Sequence, residues 1–181
     1  MNSFKGLFLD RDGVINQNIH FAIAQKDIKF IEGIFEFVQL AKLKDYIPII
    51  VTNQSGIGRG YFTEEDFHKL MRWMLNIFKK ENAEIAGYYF SPFHPIHGIG
   101  KYKCNHSFRK PNPGMIFKAQ KDFHIDLHES LLIGDSISDI DAGISAGIAK
   151  NFLLSDITSN QPKYNGSYYE VDSLKKIISF L

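Results

Sequence analysis

Two carboxylates, Asp10 and Asp12, follow the apolar run Leu7-Phe8-Leu9 directly, with Arg11 between them and Gly13 after. If that run is a strand, both acids lie at one edge of a sheet. Two like charges are unfavourable there unless a cation offsets them. A hard divalent ion with oxygen ligands, Mg²⁺, is the natural partner. One carboxylate then suits attack on phosphorus and metal coordination, and the other suits proton transfer. As a lone signal, D-x-D-G also fits a polar exit from a strand, since Asp and Gly are common turn residues.

The same pattern recurs at Leu132-Ile133-Gly134-Asp135-Ser136, where Asp135 reads as a metal ligand. Asp139, one helical turn on, reads equally as a capping group or as part of the site. Thr52 supplies a hydroxyl after Ile49-Ile50-Val51. Behind it, Asn53-Gln54-Ser55-Gly56-Ile57-Gly58-Arg59-Gly60 is glycine-rich. Such a loop lets backbone amides approach a phosphate, although it lacks the Lys-Ser/Thr ending of a Walker A loop. Arg109-Lys110-Pro111 stands at the mouth of a helix. Unit charges 4 Å apart interact by roughly 4 kcal/mol at an effective dielectric of 20, so a lysine on a phosphoryl oxygen is significant.

These residues need elements to hold them. Short apolar runs predict strands at Gly6–Leu9, Ile47–Val51, Tyr88–Phe90, Leu131–Ile133 and Phe152–Leu154. Ile34, Val38 and Ala41 share a helical face. Phe67, Leu70, Met71, Met74 and Phe78 follow the spacing of an amphipathic helix, with Thr63 and Asp66 as its capping pair. A further helix is expected from Asn112-Pro113, with Asn112 as cap. Val171, Leu174, Ile177, Ile178 and Leu181 predict a closing helix. This alternation predicts an α/β fold, a three-layer Rossmann-like parallel sheet, with ligands beyond the carboxyl ends of the strands. Residues 1–181 read as one domain with a long loop at 91–111, a length usually associated with function or mobility. The stretch between Asp12 and Thr52 already holds a helix and a short loop, so no large cap domain is expected.

With 44% apolar and 23% charged residues the composition is that of a globular chain. A formal charge of +1 gives no global reason to expect nucleic acid or a membrane as partner. The single cysteine, Cys104, forms no internal disulfide and fits a reducing compartment. The N-terminal apolar run is too short for a signal peptide. The expectation is a soluble cytoplasmic protein, a monomer or small oligomer, acting on a small phosphorylated molecule.

The order LDRDG, VTNQSG, RKP and IGDS resembles the four motifs of the haloacid dehalogenase superfamily of phosphohydrolases over roughly residues 5–155. FLDRDGVIN, VTNQSGIGRGYFTEEDF, RKPNPGM and LLIGDSISDIDAG are similar to the D-glycero-D-manno-heptose 1,7-bisphosphate 7-phosphatases, with histidinol-phosphate phosphatases as the nearest alternative. Polynucleotide 3′-phosphatases share a similar stretch but call for a basic stripe that is absent here. The resemblance implies removal of the 7-phosphate in nucleotide-heptose supply for lipopolysaccharide or other surface glycans. It implies Asp10 as nucleophile, Asp12 as acid and base, and Thr52 and Lys110 on the phosphoryl group. It implies Mg²⁺ on Asp10, Asp135 and the carbonyl of Asp12. It places the substrate against Asn53, Gln54, Ser55, Gly56, Arg59 and Arg109.

The chain departs from that pattern in two places. Many relatives carry a zinc loop, and three of its four usual ligand positions are held here by Ser91, Phe93 and Phe108, leaving His106. A shifted set, His94, His97, Cys104 and His106, has donors suited to tetrahedral zinc. The other reading is a zinc-free loop ordered by packing of Phe93 and Phe108. Ser136 stands where relatives often have lysine, which leaves more of the charge balance to Lys110 or to the metal. His20, His68, His124 and His128 read as surface or structural residues.

Overall fold

The computed structural model describes residues 3–19, 21–156 and 161–181. Strand β1 (Phe4–Leu9) is central, because its residues are apolar on both faces and Leu7, Phe8 and Leu9 are fully buried. It pairs in parallel with β2 (Tyr46–Asn53) on one side and β4 (Ile125–Gly134) on the other. Outward from β2 lies β3 (Gly87–Ser91), and outward from β4 lies β5 (Lys150–Leu154). Two short strands, β6 (Lys163–Tyr164) and β7 (Tyr169–Val171), complete the order β3-β2-β1-β4-β5-β7-β6. Among the strands of the described residues, only β6 and β7 pair antiparallel.

Helices cover both faces. On one, α1 (Ile34–Leu43) and α3 (Glu64–Lys80), with the single turn α2 (Ser55–Gly58) between them in the chain, bury Phe37, Val38, Phe67, Met71, Met74 and Phe78 against the sheet. Each such side chain contributes roughly 1.5–3 kcal/mol of transfer free energy. The expected capping box is present: Thr63 accepts from the amide of Asp66, whose carboxylate accepts from the amide of Thr63. On the other face, α4 (Gly114–Phe123) and α5 (Ile137–Ala146) pack Met115, Ile116, Ala119 and Ile140 against Phe8, Val51 and Leu132.

Two local expectations are corrected. Asn112 is not the cap of α4; Pro113 occupies that position, and the Asn112 amide donates to the carbonyl of His106 and to Asn105 instead. The expected closing helix divides. Val171 belongs to β7, and Leu174–Phe180 form a 3₁₀ helix. Its apolar residues reach the core by a period of three, with Leu174 and Ile177 buried.

No separate lid is present among the described residues. No helix among them is long and apolar enough to cross a membrane.

Candidate active site

The strand order reverses at β1, between β2 and β4, and opens a crevice at their carboxyl ends, where a doubly wound sheet binds ligands. A cavity of about 260 Å³ lies there, lined by the ends of all three strands and by the loop after β2. Asp10 leaves β1, Asp135 leaves β4, and Asp139 enters from the first turn of α5. These three carboxylates each offer an oxygen within 4.8 Å of the others.

Lys110 reaches in from the loop before α4 and is almost wholly buried. Its ammonium donates to Asp10 Oδ1 at 2.8 Å and to the Val51 carbonyl at 2.8 Å, and pairs with Asp139 Oδ1 at 2.5 Å. Burial works to strip its proton, but Asp10 and Asp139 override this and hold the lysine charged. Burial also dominates at Asp10. It outweighs the attraction of Lys110 and, with Asp139 and Asp12 nearby, raises the carboxyl well above its usual range. One lysine is therefore not enough positive charge for this corner.

Asp12 is held differently. Its carboxylate takes a two-pronged grip from Arg11 Nη2 at 2.7 and 2.9 Å, with Nε at 3.2 Å. Asn16 and Gln54 donate to it at 3.1 and 3.0 Å. Arg11 is fully buried beneath it, against the ring of Phe67. Gly13 makes the turn possible. Its φ is +86°, and a Cβ there would fall 2.1 Å from Asp135 Oδ2, so a side chain would displace that carboxylate.

Asp10, Asp12, Asp135 and Asp139 thus confront Arg11 and Lys110, which leaves two negative charges over. All the donors are hard oxygens. Burial, and secondarily Asp139, raises the Asp135 carboxyl despite a hydrogen bond from Asn18 at 2.9 Å. An oxygen cradle short of two positive charges fits a divalent ion such as Mg²⁺. Asp10 and Asp135 could supply carboxylate ligands to it, with Asp139 beside them in the grip of Lys110.

The structure gathers Asp10, Asp12, Lys110 and Asp135 as the sequence leads one to expect, and it adds three groups. Asp139 turns out to do both things its position allowed: it accepts from the Ser136 amide and hydroxyl as a capping residue, and it faces the cavity. Arg11 and Asn18 carried no motif signal of their own. Asn53, Gln54, Ser55 and Gly56 line the cavity, but two of these side chains are already engaged. Asn53 exchanges hydrogen bonds with the backbone of Lys110 at 3.1 Å each way. Gln54 donates to Asp12 and to Thr52 Oγ1.

Two glycines of this loop, Gly56 and Gly58, also have a packing role. A Cβ on Gly56 would strike the rings of Phe62 and Phe21, and one on Gly58 would lie 2.3 Å from the Pro92 carbonyl. They permit close packing. Arg59 and Arg109 stand outside the cavity lining but near one another. Burial first, and then Arg59, hold the Arg109 guanidinium below its ordinary value. Arg59 Nε is buried with no hydrogen-bond partner.

The shifted zinc set is not assembled. Among the described residues, only Asp10, Asp135 and Asp139 bring three metal-binding groups together. His94 Nδ1 accepts from the amides of Ile96 and His97, His106 Nδ1 accepts from the amide of Phe108, and Cys104 Sγ is engaged with the Lys101 carbonyl. His68 bonds the Tyr88 hydroxyl and His124 closes α4 in a left-handed conformation, both structural. His20 lies outside the described residues.

Residues 107–177 match the HAD-hydrolase-like family. D-glycero-alpha-D-manno-heptose-1,7-bisphosphate 7-phosphatase of Burkholderia mallei is 53% identical over 152 residues, covering 84% of this chain and 80% of that protein. D-glycero-beta-D-manno-heptose-1,7-bisphosphate 7-phosphatase of Vibrio cholerae is 42% identical over 148 residues, covering 82% and 80%. Among solved structures, a HAD-like protein of Mesorhizobium loti superposes with a TM-score of 0.88 at 29% identity, over 98% of this chain and 85% of that one. D,D-heptose 1,7-bisphosphate phosphatase from B. bronchiseptica, complexed with magnesium and phosphate, superposes with a TM-score of 0.78 at 22% identity, over 97% of each chain. Identity of this extent, over a chain whose motif acids meet at one sheet edge, shows that it belongs to the D-glycero-D-manno-heptose-1,7-bisphosphate 7-phosphatases of the HAD-like hydrolases.

Proposed function

We propose that this protein hydrolyses the 7-phosphate of D-glycero-D-manno-heptose 1,7-bisphosphate, in the supply of nucleotide-activated heptose for lipopolysaccharide or related surface glycans. The observation that carries this reading is the cavity itself: four carboxylates against two cations, with a buried lysine on the Asp10 carboxylate. Anionic machinery of this kind binds a phosphate only when a divalent cation completes it. Asp10 and Asp135, with the carbonyl of Asp12, would hold Mg²⁺. When bound, the ion neutralises charge on the transferring phosphoryl group.

The residues divide the work. Asp10 attacks phosphorus, forming an aspartyl-phosphate as the bond to the C7 oxygen breaks. Asp12 gives that oxygen its proton. Water then attacks phosphorus and loses a proton to Asp12, the bond to Asp10 breaks, and inorganic phosphate leaves. Arg11, Asn16 and Gln54 all donate to the Asp12 carboxylate and fix its orientation for both halves. Lys110 and the Thr52 hydroxyl steady the phosphoryl oxygens, and catalysis rests on positioning and charge stabilisation. Ser55 and Gly56 line the approach. Arg59 and Arg109, two neighbouring cations, suit the second phosphate of a bisphosphate.

The single cysteine and a phosphorylated sugar substrate support a cytoplasmic location. The test is phosphate release from both anomers of heptose 1,7-bisphosphate, with Mg²⁺ and with chelator, beside Asp10→Asn. Release that needs Mg²⁺ and vanishes in the variant is the expected result, and the faster anomer assigns the pathway. No release from either anomer refutes the substrate, while release undiminished in Asp10→Asn refutes the covalent route.

A further inference from the structure

The 91–111 loop does not bring its potential metal donors together, yet it is tightly organised. Phe93 and His106 stack face to face, with centroids 3.9 Å apart and planes 9° from parallel. Phe108 meets the imidazole edge-on, with ring centroids 5.5 Å apart. Tyr102 lies 6.0 Å from Phe93 and donates its hydroxyl to Glu64 at the start of α3, which anchors the group to the body of the protein. The two halves of the loop are therefore tied at Phe93 and His106, and those are the residues that hold Arg109. The Arg109 amide donates to the His106 carbonyl at 3.0 Å, and its guanidinium donates to the Phe93 carbonyl at 3.0 Å.

We infer that the Phe93–His106 stack replaces a metal as the cross-link of this loop, and that it positions Arg109 beside Arg59. Phenylalanine cannot ligate a metal, but it can close the same gap by aromatic contact, which retains one histidine in a new role. His106 is thus a positioning residue that acts through Arg109. The same loop is docked at its base by Gly58, whose carbonyl accepts from the Ile99 amide at 2.8 Å. This inference deepens the proposed function and rests on reading Arg109 as a contact for the second phosphate.

Two measurements separate the parts. Metal analysis of protein purified from zinc-supplemented medium tests the loop without reference to substrate. The expected content is well below stoichiometric, with melting temperature, compared at one fixed excess of Mg²⁺, unchanged by zinc removal and zinc return; stoichiometric zinc that stabilises the fold overturns the inference. The second measurement compares His106→Phe, which keeps a stacking ring and removes every ligand atom, with His106→Ala, which removes both. With heptose 1,7-bisphosphate as substrate, His106→Ala should raise KM about tenfold with little change in kcat, and His106→Phe should restore most of it. Heptose 7-phosphate, which lacks the second phosphate, should show no such split. His106→Phe as damaging as His106→Ala overturns the stack. Should His106→Ala fail to fold, Phe93→Leu against Phe93→Tyr asks the same question from the other ring. An unchanged bisphosphate KM in Arg109→Ala refutes the phosphate contact instead, and the melting temperatures of the two His106 variants then decide the stack on their own.

Discussion

Replacing Lys110 by methionine removes the ammonium that Asp10 and Asp139 share and leaves the side-chain volume nearly intact. Both carboxylates are buried, so solvent does little to screen what remains. Removing one partner of a buried ion pair costs about 3–5 kcal/mol. At about 2–4 °C per kcal/mol for a domain of this size, the melting temperature should fall by about 6–20 °C in chelator at pH 8. The loss should depend on pH. Burial raises the Asp10 carboxyl from 3.8 to about 7 in the folded protein, even against the attraction of Lys110. An acid with a raised folded value binds more protons folded than unfolded, so its contribution falls as pH rises through that window. Without Lys110 the value climbs further, and the vacated acids take up protons at low pH. The variant should therefore lie close to wild type near pH 5 and fall away through neutrality. Differential scanning fluorimetry from pH 5 to 8.5 reads this directly. A deficit that is the same at pH 5 and pH 8, or that is absent at pH 8, would falsify the claim that Lys110 holds these carboxylates. Phosphatase activity with Mg²⁺ should drop about 10²–10³-fold, the scale of losing one preorganised charge at a reacting group.

Chelated protein titrated with Mg²⁺ should gain stability, by about 2.7 kcal/mol at a hundredfold excess over Kd, and Asp135→Asn should abolish most of that gain. Because burial raises the Asp135 carboxyl, the gain should shrink as pH falls, since the metal must displace a proton; a gain undiminished in Asp135→Asn would remove that residue from the metal site. Gly58→Ala forces a Cβ against the Pro92 carbonyl, which is backbone and cannot swing aside. It should cost about 1–3 kcal/mol, and an unchanged melting temperature would refute the close docking of the two loops.

Much of the site could be read from sequence because it sits where local pattern is decisive. A strand apolar on both faces must be central, and the polar residue that ends it must lie at the sheet's carboxyl edge. That logic places Asp10, Thr52 and Asp135 from Leu7–Leu9, Ile49–Val51 and Leu131–Ile133 alone. The capping box of α3 was legible for the same reason, since Thr63 and Asp66 act within one turn. What local pattern could not decide was which partner each polar group would choose. Asp139 had two roles open to it, and only the approach of Lys110 from a distant loop made it part of the cavity. Gln54 and Asn53 stand where a substrate contact was expected, yet Asp12 and the Lys110 backbone take their amides. The terminal segment followed a helical period, but β7 captured Val171 by pairing with β5. The fate of the 91–111 loop was the most remote from sequence: His94, His97, Cys104 and His106 have ligand spacing, and a flat contact between Phe93 and His106 prevailed. Short-range periodicity and strand ends are set by neighbouring residues and were determined by the sequence itself. Hydrogen-bond partners, shared charges and ring contacts depend on groups far apart in the chain, and only packing in three dimensions selected among them.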